Sequence, residues 1–149
     1  MTDISFYHLQ RQPLERALPK LLERVVASSM KALVLADNEE RVGMLNSTLW
    51  TYDQDSFLPH GSGKDGDAEL QPIYLTVEED NPNRANVLVL VDGGQHKDLA
   101  HFDRCLDMFD GNDQDAVAQA RTRWKAYQDA GHEVTYWQQN DAGKWEKKA

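Results

Sequence analysis

Residues 31–37, "KALVLAD", limit what this chain can become. Five consecutive apolar residues, Ala32 to Ala36, stand between a lysine and an aspartate. The run is too short for a helix and lacks the alternation of a strand with one wet face. It fits a strand buried on both sides, the usual state of a strand inside a parallel sheet. Parallel neighbours need crossover connections, and the flanking sequence supplies them. "DISFYHL" (3–9) alternates and reads as a first strand. Residues 13–29 place Leu14, Leu18, Leu21, Leu22, Val25 and Val26 at helical spacing, with Pro19 either kinking that helix or marking its true start. Asn38 can cap a second helix, with Glu39 and Glu40 in the favourable first turn and Val42, Leu45 and Leu49 as its apolar stripe. A strand–helix–strand–helix opening predicts an α/β fold.

The remaining chain continues the pattern. From Asp53 to Gln71 it is polar and glycine-rich, a long loop by its composition. "PIYLTV" (72–77) and "VLVLVDGG" (87–94) are strands, residues 98–103 a short helical turn, and "RCLDMFD" (104–110) another strand. A helix over 113–130 starts at Asn112 or Asp113 and ends before Gly131. "EVTYWQQ" (133–139) is a last strand, and "KWEKKA" forms a hairpin edge or frays. The expected architecture is a single domain over residues 1–149. It is three-layered α/β/α and Rossmann-like, with a largely parallel central sheet and a C-terminal edge strand or hairpin.

Such a fold invites a search for a nucleotide site, and the fingerprints are missing. No G-x-G-x-x-G follows the first strand, and no G-x-x-x-x-G-K-[ST] occurs anywhere. The first strand–helix junction, "HLQRQPLE", has no glycine to admit a pyrophosphate. "VDGG" reads first as a tight turn. His96 and His101, with Asp98 and Asp103 nearby, read as surface or structural residues before they read as metal ligands, and His8, His60 and His132 are scattered singly. Cys105 sits in a strand pattern where a buried, inert thiol is the default, and Ser56 lacks a nucleophile elbow. No intrinsic catalysis, cofactor or metal is therefore expected. The lone cysteine excludes an internal disulfide. No apolar run approaches the roughly 20 residues of a membrane span, and the N-terminus has no leader pattern. The cytoplasm is the expected compartment. A net charge of −9 argues against broad nucleic-acid binding, although a local basic patch can still meet an acidic partner.

Two stretches remain. In "TLWTYDQDSFLPH" (48–60), Trp50, Tyr52, Phe57, Leu58 and Pro59 gather at a helix end and the loop leaving it. They either pin the loop to the core or meet a partner. In "ARTRWKAY" (120–127) three cations occur without an anion. At 100° per residue Val117, Ala120, Trp124 and Tyr127 share a face, and Arg121 and Lys125 border it. Arg123 is expected to be turned about 160° away from the Val117–Trp124 face, so its removal is expected to do little. The surface suits a short ligand that combines carboxylates with an apolar side chain.

With these residues in view, the chain resembles the chi subunit family of bacterial DNA polymerase III, whose members are accessory proteins of the clamp-loader assembly. The resemblance is strongest at "ISFYHL", "LWTYDQDSFLPH" and "ARTRWKAYQDAGH". It implies a non-catalytic adaptor between the clamp loader and single-stranded DNA-binding protein (SSB). Nucleic acid is then met only indirectly, and no membrane is involved. Arg121 and Lys125 would hold the carboxylates of the SSB C-terminal tail, and Trp124 would line the pocket for its terminal phenylalanine. Val117 stands where some relatives carry a further lysine. Trp50 and Phe57, with Leu58 and Pro59, inherit the contact with the clamp-loader psi subunit. The rival readings are a small nucleotide-dependent enzyme and a direct single-stranded nucleic-acid binder.

Overall fold

A computed structural model describes residues 2–10, 12–52, 58–62, 71–96, 99–140, 142 and 144–148. Among them, eight strands form one sheet: β1 (Asp3–Leu9), β2 (Ala32–Leu35), β3 (Gly61–Ser62), β4 (Ile73–Thr76), β5 (Val87–Val91), β6 (Arg104–Asp110), β7 (Glu133–Gln139) and β8 (Trp145–Lys147). Their order is β3-β4-β2-β5-β6-β1-β7-β8, and every pairing is parallel except that of β7 with β8. Among the described residues three α-helices complete the fold, α1 (Leu14–Ala27), α2 (Glu39–Thr51) and α3 (Gln114–Asp129), with a 3-10 turn at Leu99–His101. Helices α1 and α2 cover one face and α3 the other, which makes the three-layer α/β/α sandwich that the sequence predicts.

Strand alternation assigns each residue to a layer. In β1, Tyr7 and Leu9 pack toward α1, whereas Ile4, Phe6 and His8 point toward α3. In β6, Leu106 and Met108 join the first core, while Cys105 and Phe109 join the second. The central run Leu33–Val34–Leu35 feeds both cores at once, which is why it reads as uninterrupted apolar sequence.

Local signals start and stop the helices. The Asn38 side chain accepts from the Arg41 backbone N–H at 2.8 Å. Asp113 does the same for Asp115 and Ala116 at the start of α3. Gly131, at φ 90°, ends α3 in the left-handed conformation that favours glycine. Helix α1 begins at Leu14 and runs through Pro19 without interruption, so Pro19 is not its start. "VDGG" is a tight turn: Asp92 and Gly93 have positive φ, and the Gly94 N–H bonds back to the Val91 carbonyl at 3.0 Å. One element departs from expectation. The stretch read as a long loop contains β3, a two-residue strand added to the sheet edge beside β4. The remainder of that stretch, 53–57 and 63–70, lies outside the described residues.

Candidate functional site

Helix α3 is polar on its outer side, and its attachment to the sheet decides which side chains are left free. Arg123 is the attachment. It is buried, at 5% exposure, and reaches Asp107 on β6, itself 1% exposed. Arg123 Nε donates to Asp107 Oδ2 at 2.8 Å and Nη2 donates to Oδ1 at 3.0 Å, a bidentate pair. Burial pushes the Asp107 carboxyl above its ordinary value, and the Arg123 guanidinium opposes that push. Here the sequence expectation needs correction. Arg123 is not turned away from the Val117–Trp124 side: it reaches the sheet on the side where Val117, Ala120 and Trp124 pack, so its loss would strand a buried carboxylate and is far from neutral.

With Arg123 turned inward, Arg121 and Lys125 are exposed on the outer side of α3 and border a shallow cleft with Thr122, Ala126 and Asp129. Trp124 and Val117 are half-buried against the α3-side core. The Trp124 ring meets Phe6 at 5.6 Å and Tyr136 at 5.8 Å, edge-on in both cases. Trp124 therefore belongs partly to the core and offers only its outer part to a ligand.

Tyr136 and His8 join this surface from the sheet, and the sequence reading missed both. The His8 Nδ1 and the Tyr136 hydroxyl share a hydrogen bond. The charge of Arg121 acts on both groups. Burial first, and the Arg121 charge with it, hold the His8 imidazole below its ordinary 6.5, against the opposing Gly111 backbone and Asp110. Burial lifts the Tyr136 phenol, and Arg121 partly offsets that. Gly111 is required for the arrangement, since a Cβ there would come within 1.9 Å of the His8 ring. The strand alternation of "EVTYWQQ" carried a signal that Tyr136 and Trp137 face opposite layers. That Tyr136 lies beside α3 depends on β7 pairing with β1, which no local pattern announces.

The second stretch divides differently. Trp50, near the end of α2, is 50% exposed, and its ring lies 4.2 Å from that of His60. Leu58 is buried at 3% exposure and Pro59 is half-buried. His60 holds the segment down: its Nδ1 lies 2.7 Å from the Leu58 carbonyl and its Nε2 lies 3.1 Å from that of Asn46. Phe57 lies outside the described residues. The three described residues, Trp50, Leu58 and Pro59, thus do not share one exposed surface. Leu58 anchors the segment, and Trp50 stands out from it.

The crevice that a doubly wound sheet usually gives to nucleotides lies at the carboxyl ends of β1 and β6, where the chain leaves toward opposite layers. It encloses about 490 Å³. Glu15, Asp92 and Asp110 line it, and Arg41 bonds to both Glu15 and Asp92, at 2.6 and 2.7 Å. Burial disfavours the ionised Glu15, but the Arg41 contact outweighs it and holds the carboxyl below its ordinary range. The guanidinium is committed to carboxylates, so an incoming phosphate would meet a negative field. Among the described residues, no three His, Cys, Asp or Glu side chains converge as a metal cage, and no helix is long and apolar enough to cross a membrane. His96 is buried against Phe102, and Cys105 is buried, its thiol pushed well up by that burial.

Comparison with known proteins identifies the family. The family model described as DNA polymerase III chi subunit, HolC, matches residues 1–135. The chain belongs to the DNA polymerase III chi subunit family. A curated relative from Rickettsia prowazekii (strain Madrid E), named a probable DNA polymerase III subunit chi, is 40% identical over 91 residues. That alignment covers 61% of this chain and 55% of the relative, so the chain spans little more than half the length of the chi protein it matches. The match to the family model takes in β1, α2 and all of α3, and with them both stretches singled out above.

Proposed function

We propose that this protein is a non-catalytic adaptor of the replicative DNA polymerase, working in the cytoplasm. It links the clamp loader to SSB-coated single-stranded DNA by gripping the acidic, phenylalanine-ended SSB tail. The observation that carries the reading is the exposed Arg121–Lys125 pair beside half-buried Trp124 and Val117, in a chain whose net charge is −9. Arg121 supplies a planar fork for a carboxylate and Lys125 a point charge one turn later. Trp124 and Tyr136 give the terminal phenyl ring two aromatic neighbours. The clamp-loader side of the adaptor uses Trp50, Phe57 and Pro59, with Leu58 as the buried anchor of its segment. Its partner is the psi subunit or an equivalent.

Fluorescence-anisotropy titration of a labelled SSB-tail peptide tests the first contact. Saturable binding is expected, and a peptide lacking its terminal phenylalanine should bind far more weakly. Equal binding of both peptides, or of neither, sinks the assignment. A pull-down with purified psi subunit, comparing the unaltered chain with Trp50→Ala, tests the second contact. Retention of psi by the variant would remove Trp50 from the interface.

A further inference from the structure

The opposite face of the sheet carries a second surface of cations and aromatic rings, which the adaptor reading does not use. Helix α1 packs on β2 and β6. A groove remains between α1 and β8. Two cavities of about 260 and 530 Å³ lie along it, sharing Arg24, Trp137 and Trp145 as lining. The Tyr7 and Trp137 rings lie nearly parallel, 10° apart in orientation with centroids 6.5 Å apart. Trp145 stands edge-on to Tyr7 at 5.0 Å. Both indoles are half-buried, each with part of its surface open to the groove.

The rim is cationic. Lys20 and Arg24 come from α1, Arg104 from β6 and Lys144 from just before β8, and all four are exposed. Among the described residues no carboxylate lines either cavity, in a chain with 25 acidic residues against 16 basic ones. Among the described residues, no ion pair engages Arg24, Arg104 or Lys144, and Lys20 has only an exposed contact to Glu23 at 3.9 Å. The nearest carboxylates by register, Asp3 and Glu133, stand at the Arg104 end. An anionic ligand would therefore run from Arg24 toward Lys20 and Lys144.

We infer that this groove binds a short stretch of single-stranded nucleic acid, with phosphates on the Lys20–Arg24–Lys144 rim and bases against Trp137 and Trp145. Lys20 and Arg24 are one helical turn apart, about 6 Å along the axis, close to the spacing of consecutive phosphates on an extended strand. Cations on separate elements around flat aromatic faces suit a repeating anion with a π-surface at every step. A peptide ending in a single carboxylate would need them clustered at one point. The site lies across the sheet from Arg121, so a chain held by an SSB tail could touch the coated strand as well.

The test is anisotropy titration of the full chain with a fluorescein-labelled oligothymidylate of about 16 nucleotides, the upper end of what one such platform spans. Saturable binding is expected at low salt. Its logarithm should fall with that of the salt concentration at a slope of about −2 to −3, as for three or four neutralised phosphates on a single strand. Trp145→Ala, Arg24→Glu and Lys144→Glu should each weaken binding by about tenfold or more, while Arg121→Ala should leave it unchanged. The two charge reversals are at exposed positions, so they keep the test valid if Trp145→Ala disturbs the edge strand. Three results would overturn the proposal: no saturable binding, equal affinity for a duplex of the same length, or variants that bind like the unaltered chain. Tighter, Trp145-dependent binding of a glutamate-rich peptide with a terminal aromatic residue would make the groove a peptide site and also end the nucleic-acid reading.

Discussion

Two arginines two positions apart in one helix have opposite fates. Arg121 is exposed, and Arg123 is sealed against Asp107. Arg123→Ala should cost about 3–5 kcal/mol of stability, because it leaves the Asp107 charge buried and unpaired. Denaturant unfolding would show this as a lowered midpoint. Replacing both partners with apolar residues, Arg123→Met with Asp107→Leu, should restore much of the loss, and a double variant as unstable as the single one would contradict the account. Arg121→Ala should leave the midpoint in place and weaken the SSB tail by roughly ten- to a hundredfold, the value of a charge-assisted contact of about 1.5–3 kcal/mol. Lys125→Ala should lose less, since an ammonium lacks the bidentate fork. His8 reports on the same surface. Its folded pKa lies below the ordinary 6.5, so the stability it contributes is present above 6.5 and is lost as pH falls through the lower folded value. A bound anionic tail neutralises Arg121 and should raise the His8 pKa. By linkage, tail affinity should then increase as pH falls on the acid side of neutrality. Nuclear magnetic resonance titration of the His8 ring with and without peptide checks the direction, and a downward shift on binding would place the tail elsewhere.

At the scale of elements, strands and helices were legible wherever a short-range pattern decided them. "KALVLAD" could only be a doubly buried strand. Asn38, Asp113 and Gly131 marked helix ends because capping chemistry is local. What could not be read was pairing. Nothing in "GS" announces that Gly61 and Ser62 join β4, and nothing in "TRW" separates a solvated arginine from one reaching across to β6. Both outcomes depend on neighbours remote in sequence. The Trp50–His60 segment makes the same point, since its apolar residues divided between core and surface. Leu58→Ala should cost about 2–5 kcal/mol, as expected of a truncated buried leucine. Trp50→Ala should cost much less, because half of that ring is already in water. Thermal unfolding of the two variants separates them. A larger loss for Trp50 would mean that its contact with His60, rather than Leu58, holds the segment.

At the scale of the molecule, the proposed function asks a chain of net charge −9 to attract an acidic tail against its own field. Under that proposal the attraction is local: Arg121 and Lys125 would act within a few ångströms, whereas the surplus of carboxylates acts from everywhere at once. Salt separates the two ranges. At physiological ionic strength the screening length is about 8 Å, so the long-range repulsion is largely gone while contacts at the site persist in part. The apolar contribution of a phenyl ring against Trp124 and Tyr136 is not screened at all. Tail affinity should therefore decline only modestly from low to high salt, and replacing both Arg121 and Lys125 by alanine should flatten the remaining dependence. Isothermal titration of the tail peptide across a salt series measures both. An affinity indifferent to salt in the unaltered chain would remove the cations from the contact. Complete loss at moderate salt would remove the aromatic pocket and leave charge alone.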